Sequence, residues 1–431
     1  MKNAATRGQL RALAEIDIMI LGRTPHAVLL VGPGSVGKTT LAMDLAAGLL
    51  CRDPDPSARP CRSCRGCRQV ASGNHPDLHR LAPGGPGGQV RIGRASDPEP
   101  GTVRRLISEL ALLPVEGGAR VAIVEAAHRL NDDAQNALLK LLEEPPAGVT
   151  IVLCADDEEC LLPTVRSRCV RIRLGAVGGR EIERWLGELG AADAPRAARL
   201  ARLANGRPGL ALAYARSADA ERLRGEIARG ILDMLGAGRA KRLSAVRDLI
   251  KTASALDAAL DGSRRDAAGP DGAVAALSGE VTALAGARRG RKAQAAKAGD
   301  TEAPDGATTD DGAAPKLAAA DRRSAAATLV DVWASVGRDL AVAQAGGSRQ
   351  LRELELVDEL GALGPAMSAS ALASFLAQLA ATATQLDENV YPELALDVLA
   401  LSWPRIDSAA STAAPAGVSG AGAPSPGDQP R

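Results

Sequence analysis

The chain has 431 residues, 46% of them hydrophobic, enough for two or three domains with genuine cores. Its formal charge of +1 and its 1% aromatic share argue against a free-standing nucleic-acid binder, normally marked by a basic excess, and against an aromatic-rich β-sandwich. No apolar run reaches membrane-spanning length and the N-terminus has no signal-peptide pattern, so a cytoplasmic location with no membrane contact is expected.

In chain order, AVLLV (27–31) is an apolar run that ends at a glycine loop, GPGSVGKTT (32–40), and TTLAMDLAAGLL (39–50) follows with helical spacing. Strand, loop and helix are the setting in which Gly32, Pro33, Gly34, Ser35, Val36, Gly37, Lys38, Thr39 and Thr40 form a phosphate cradle. Glycines let the backbone bend round phosphate oxygens, a lysine reaches the outer phosphates, and a threonine hydroxyl suits magnesium. ATP or ADP with Mg2+ is the expected ligand. Cleaving it needs further carboxylates and a sensor.

Four of the seven cysteines follow with the spacing Cys51-x9-Cys61-x2-Cys64-x2-Cys67. Four soft thiolates satisfy tetrahedral zinc and leave no open position for water, so the expected site is structural; the competing reading is a reactive Cys-x-x-Cys pair, which does not need four cysteines. His75 and His79 lie just downstream as weaker substitute ligands. Cys154, Cys160 and Cys169 fall in or beside apolar segments and are expected to be buried, inert thiols.

After a Gly/Pro-rich loop (82–89), GTVRRLISELALLP (101–114) places Val103, Leu106, Ile107, Leu110 and Leu113 on one helical face. RVAIVEA (120–126) is a second strand. NDDAQNALLKLLEEPP (131–146) opens with capping residues, buries Ala134, Leu138, Leu141 and Leu142, and stops at two prolines, and VTIVLCA (149–155) is a third strand. Alternating strands and helices imply a parallel sheet covered on both faces, an α/β fold. Glu125 ends the second strand, where a carboxylate holds magnesium through water. Ala126 follows it and cannot polarise an attacking water; His128 is the nearest base, though a packing role suits it as well. TVRSRCVRIRL (164–174) sets Arg168 between a helix and a strand, where a guanidinium can reach a neighbour's phosphates or form a surface ion pair.

From about residue 175 helical patterns take over, in GREIERWLGEL (179–189) and 194–217. Residues 262–322 are Gly, Ala, Asp and Lys-rich, with a basic patch (Arg288, Arg289, Arg291, Lys292) before an acidic one, and suggest a disordered insertion with one helix near 272–288. Helical periodicity returns at 325–343 and again at 391–403, and residues 406–431 form a tail expected to be disordered.

These stretches and their order resemble the delta-prime subunits of bacterial DNA polymerase III clamp loaders, an AAA+ family related to the gamma/tau motor subunits. The resemblance rests on HAVLLVGPGSVGKTT (26–40), CRSCRGC (61–67), GNHPDLHRL (73–81), NALLKLLEEPP (136–146), LLPTVRSRC (161–169) and NVYPELALDVL (389–399), and covers nearly the whole chain apart from the insertion and tail. It implies an α/β AAA+ P-loop domain over 1–174 with an inserted zinc module at 51–67. A helical lid (175–217) and a helical collar domain (218–405, interrupted at about 262–322) would follow. The implied protein is a stationary member of a hetero-oligomeric ring, between gamma/tau motor subunits and a delta subunit, that helps load the sliding clamp on primed DNA. It would belong to the DNA-directed DNA polymerase III holoenzyme, a nucleotidyltransferase at the level of the complex, with no ATPase of its own.

Arg168 is implied to serve the adjacent subunit's ATP in trans. Departures from the motor pattern agree with a non-hydrolysing member. Glu125-Ala126 stands where motors have Asp-Glu, Gly209 stands where motors place a sensing arginine, with Arg207 close by, and Ala155-Asp156 supplies no threonine sensor. The intact phosphate loop keeps an alternative open, an active ATPase of gamma/tau type. The short lead-in to the first helix is expected to weaken adenine contacts.

Overall fold

Five strands, three of them apolar runs, form one parallel sheet in the computed structural model, which describes residues 1, 3–22, 24–84, 89–116, 118–268, 319–387 and 390–406. The strands are β1 (Ala27–Val31), β2 (Leu78–Leu81), β3 (Arg120–Val124), β4 (Val149–Ala155) and β5 (Val170–Arg173), in the order β2-β3-β4-β1-β5. Both faces are covered, which is why β1, β3 and β4 are almost uninterrupted apolar runs rather than alternating ones. Ala27, Leu29, Ala122, Val124, Ile151 and Leu153 face α4 (Val103–Leu110) and α5 (Asp132–Glu143). Val28, Leu30, Val121, Ile123, Val152 and Cys154 pack on the other side with α1 (Leu10–Leu21) and α2 (Lys38–Leu49). Successive residues of each strand thus feed two separate cores.

Register decides where the phosphate loop emerges. Val31 pairs with Ala155 of β4 on one side and with Arg173 of β5 on the other, so the loop leaves the sheet at its carboxyl edge, the edge at which open α/β sheets bind ligands. Two shorter helices, α3 (Arg65–Ala71) and α6 (Pro163–Arg166), carry the cysteine module and the approach to β5. Three more, α7 (Gly179–Glu188), α8 (Ala194–Leu203) and α9 (Pro208–Arg216), follow the sheet.

Several expectations change. The helix over 101–114 stops at Leu110, and Leu113 is 88% exposed instead of sharing its face. The cause is the buried Arg120, whose guanidinium takes the carbonyls of Glu109, Leu112 and Leu113. Its companion, the buried Asp77, accepts the Val115 and Glu116 amides at 2.7 and 3.0 Å. The guanidinium thereby gives the carbonyls at and just beyond the end of α4 the partners that a continuing helix would have supplied. β2 was not among the expected strands, because only its first and last residues are apolar; it forms the sheet edge, Leu78 opposite Val121. Cys160 is exposed, whereas Cys154 is fully buried and Cys169 partly so. The insertion does not begin at 262: a long helix, Arg239–Ala268, runs through Gly262, a single glycine being tolerated within so alanine-rich a stretch. The expected helix near 272–288, both charged patches and the tail from 407 lie outside the described residues.

The chain divides into two compact units, one built on residues 1–218 with the described part of 258–322, the other on 219–257 together with the residues from 323. The second is helical, built from α10 (Ala218–Asp233), most of α11 (Arg239–Ala268) and of α12 (Ala319–Gln344), α13 (Val357–Leu363), α14 (Ala369–Asp387) and α15 (Pro392–Ser402). Its centre is aromatic despite the low overall share. Trp333, Phe375 and Trp403 meet with ring centroids 4.5 to 5.7 Å apart, and Trp403 Nε1 donates to Ile231 O at 3.1 Å. The buried Arg242 takes the carbonyls of Leu235, Ala237, Ala400, Trp403 and Pro404, closing the end of α15, whose last carbonyls would otherwise be unpaired. Among the described residues no single helix is long and apolar enough to cross a membrane.

Candidate nucleotide cavity and cysteine cluster

The loop between β1 and α2 is shaped by close approach. A Cβ on Gly32 would stand 2.3 Å from Leu174 O, so only glycine fits there, and Gly37, with φ +109°, turns the chain into α2. Free amides at the start of that helix and its dipole favour an anion at this point. Lys38 is 6% exposed and its Nζ donates to Gly32 O at 2.6 Å and Pro33 O at 2.8 Å. The same ammonium pairs with Asp156 Oδ1 at 2.7 Å, just beyond β4.

The loop opens on a cavity of about 570 Å³. Gly34 through Thr40 form its floor, Glu125, Ala126, His128 and Asp156 one side, and Trp185, Pro208, Gly209 and Leu212 the opposite wall; Ala5, Thr6 and Arg7 also line it. Gly32 and Pro33 contribute through the lysine carbonyls rather than as lining residues. Val36, 1% exposed, belongs to the core beneath. A second cavity, of about 710 Å³, opens among His26, Pro145 and Thr150 at the opposite edge of the sheet. It has neither a lysine nor the glycine loop to receive phosphate, so the smaller cavity is the candidate site.

The groups that would drive hydrolysis are occupied or missing. Glu125 Oε1 is held by Arg80 of β2, at 2.8 Å from Nε and 2.6 Å from Nη2, and Ala126 brings no carboxylate beside it. His128 Nδ1 accepts the Asp156 amide at 3.2 Å; a neutral imidazole accepting there carries its proton on Nε2 and has no lone pair left for a water. The Gly209 amide donates to Ser35 O at 3.0 Å, and a Cβ at Gly209 would itself lie 3.0 Å from that oxygen. The contact between α9 and the loop is therefore built for the absence of a side chain. Arg207 donates from Nε to Ala204 O and does not line the cavity.

Arg168 is also outside this chain's own cavity. Its Nη2 pairs with Glu143 of α5 at 2.6 Å and its Nη1 donates to Thr164 O at 2.9 Å, which fixes a partly exposed guanidinium at the turn into β5. Cys169 beside it is half-buried, and burial pushes its thiol up to about 11. Burial likewise raises the enclosed Cys154 to about 12.

The Sγ atoms of Cys51, Cys61, Cys64 and Cys67 lie within 4.8 Å of one another. Cys51 to Cys64 is 3.9 Å and Cys61 to Cys67 is 4.0 Å, close to the edge of about 3.8 Å that a tetrahedron with zinc–sulfur bonds of ~2.3 Å requires. Backbone amides point at the sulfurs: Cys61 N to Cys51, Cys64 N to Cys61 and Cys67 N to Cys64, each at 3.4 Å. Burial raises the Cys51 and Cys67 thiols. Cys61 is drawn down to about 6, because hydrogen bonds from Ser63 and the Cys64 amide together outweigh the effect of burial. Four sulfurs so placed fit a zinc ion, which would neutralise them and complete a closed site. The histidines are engaged elsewhere, His75 accepting the Asp77 amide at 3.1 Å and His79 bonding Glu109 at 3.0 Å.

A family model described as "DNA polymerase III, delta subunit" matches residues 12–177. The DNA polymerase III subunit delta' of Pseudomonas aeruginosa is 37% identical over 161 residues, 37% of this chain and 46% of that protein. The subunit delta' of Escherichia coli is 37% identical over 192 residues, 44% of this chain and 55% of the relative. The match also extends to the subunit tau of Escherichia coli, 36% identical over 191 residues, 43% of this chain and 28% of the relative. Over this segment the chain is similar to delta' and tau subunits alike, at 36 to 37% identity. The matches span between 28% and 55% of these three relatives' own lengths.

Within the matched segment and the helices after it, several cavity residues are not marked by the sequence pattern. Trp185 and Leu212 form an apolar wall from α7 and α9, and nothing in their helical spacing sets them apart from core positions. The lead-in residues Ala5, Thr6 and Arg7 stand against the cavity. Arg80 carries no sequence signal of its own; the pairing of β2 with β3 sets it opposite Ile123, two residues before Glu125.

Proposed function

We propose that this chain is a delta-prime-type subunit of a DNA polymerase III clamp loader that holds a nucleotide without cleaving it. One observation carries the reading: a complete phosphate cradle faces a carboxylate already tied to Arg80, with Ala126 next to it. Binding and cleavage are separate demands, and phosphoryl transfer to water needs a group that orients the nucleophile. Glu125 would stand on the magnesium side of the ligand, and Lys38 with Thr39 at the phosphates.

Arg168 has a different role in this proposal. Braced by Glu143 outside its own cavity, it would enter the ATP site of an adjacent gamma/tau-type subunit and stabilise charge developing on the transferred phosphate. The helices over 175–217 would form the lid of the nucleotide domain and the helical unit the collar that joins motor and delta subunits, so that the assembled ring loads a sliding clamp on primed DNA. The intact loop and the likeness to tau favour a second reading, an active motor, but Ala126 and the side-chain-free contact at Gly209 count against it.

Reconstitution with motor and delta subunits separates the two. The purified chain is expected to show no ATP turnover. Arg168→Ala is expected to lower turnover at the neighbouring site by about 10³-fold, the smaller end of what such arginines supply. Turnover by the chain alone would refute the holding role, and a complex indifferent to Arg168→Ala would refute the trans role.

A further inference from the structure

The cysteine cluster and the cavity are joined by a strap. Residues 3–9 run from the cysteine module past the cavity to the segment that follows β5. At the first end, Asn3 Nδ2 donates to Pro60 O at 3.1 Å and Asn3 O accepts from Arg62 Nε at 2.9 Å. Arg62 lies between Cys61 and Cys64 in a left-handed conformation, φ +61°, and its other nitrogen pairs with Asp44. Asp44, fully buried on α2, uses both oxygens for the strap, accepting the Ala5 amide at 3.0 Å and the Thr6 amide at 2.9 Å. At the far end Gln9 clasps Gly175, donating to its carbonyl at 2.7 Å and accepting its amide at 3.3 Å.

We infer that the cysteine module is a positioning device for the nucleotide cavity, acting through Arg62 and Asp44 on residues 5–7. A short tether has a defined middle only when both ends are fixed, and the middle here is the part that lines the cavity. Thr6 itself is 4% exposed, and its hydroxyl has no hydrogen-bond partner among the described residues, so its position is set by the backbone bond to Asp44. With zinc on the four sulfurs, the Cys61–Cys64 turn holds Arg62 in the one conformation that reaches Asn3 and Asp44 together. The metal has no part in the chemistry of the nucleotide. This inference rests on the reading of the cavity as a nucleotide site.

The test uses the full chain, zinc-loaded, as wild type, Arg62→Ala and Arg62→Lys, and the wild type stripped by a chelator. Two readouts are taken on each: amide exchange at Ala5 and Thr6, and affinity for Mg-ATP. Loss of the anchor is expected to speed exchange at both amides about 10-fold or more while β3 and β4 stay protected, and to weaken Mg-ATP binding about 5-fold. Arg62→Lys, which leaves the cysteines and Asp44 intact but has a single nitrogen and cannot hold Asn3 O and Asp44 together, supplies the result if Arg62→Ala does not fold. Unchanged exchange at Ala5 and Thr6, or faster exchange with unchanged affinity, would overturn the inference. A wild-type chain that binds no Mg-ATP overturns the nucleotide reading and the inference with it, and is told apart because the unmutated protein itself fails.

Discussion

Asp156→Asn is expected to tighten ATP binding. The carboxylate sits 2.7 Å from Lys38 Nζ, the ammonium that a bound nucleotide needs for its outer oxygens. A phosphate accepted by Lys38 therefore comes within roughly 4 Å of a group of its own sign, a separation at which two unit charges interact by ~1 kcal/mol in water and ~4 kcal/mol at an effective dielectric of ~20. The Asp156 side chain is 47% exposed, which places the repulsion near the lower figure, about 1 to 2 kcal/mol. That corresponds to about 5- to 30-fold in Kd. Asparagine keeps the shape and removes the charge. Calorimetric titration of wild type and variant with Mg-ATP, at low and high salt, reads the difference, and the gain should shrink with salt as screening grows. A variant that binds no more tightly than wild type would show that Asp156 does not oppose the phosphate.

Gly209→Arg should not create a nucleotide sensor: its Cβ would start 3.0 Å from Ser35 O, and overpacking of this kind costs about 1 to 3 kcal/mol. Urea unfolding and an ATP titration should show lower stability and weaker binding, and tighter binding would refute the account of the α9 contact. Cys64→Ser should abolish chelator-resistant zinc, measured by elemental analysis, and lower the melting temperature; zinc retained as firmly as in wild type would exclude Cys64 as a ligand. Asp77 provides a pH test. Burial works against its charged form, but the Glu116 and Val115 amides and Arg120 prevail and hold its carboxyl below the ordinary 3.8. The unfolded chain then takes the proton first, so this contribution to stability is complete above pH 3.8 and is lost as pH falls through the lower folded value. Asp77→Asn should be less stable at neutral pH and lose less on acidification below about pH 4; parallel urea midpoints for the two proteins would contradict this.

The sequence makes the nucleotide domain legible because its signals are local. The apolar runs of β1, β3 and β4, the Asn131 cap with its 3.0 Å bond to the Ala134 amide, and the glycine loop each announce themselves within a dozen residues. The four cysteines do the same, their spacing alone pointing to the cluster that the sulfur distances fit. Long-range pairings left no such mark. Arg120 meets Asp77 from 43 residues earlier, Asp44 gathers a strap and a module separated from it by 38 and 18 residues, and Lys38 meets an aspartate from beyond another strand. Each depends on which strands are neighbours, and the order β2-β3-β4-β1-β5 is not written in any one segment.

The distribution of aromatic rings has a practical result. Of the three tryptophans in the chain, Trp333 and Trp403 are enclosed at the centre of the helical unit, while Trp185 lines the cavity above the glycine loop, the candidate nucleotide site. The two parts of the molecule therefore emit from different surroundings. The enclosed pair should fluoresce at short wavelength and change only when the helical unit melts, and the third should respond to an arriving base, so that ligand occupancy and unfolding can be followed in one unlabelled sample.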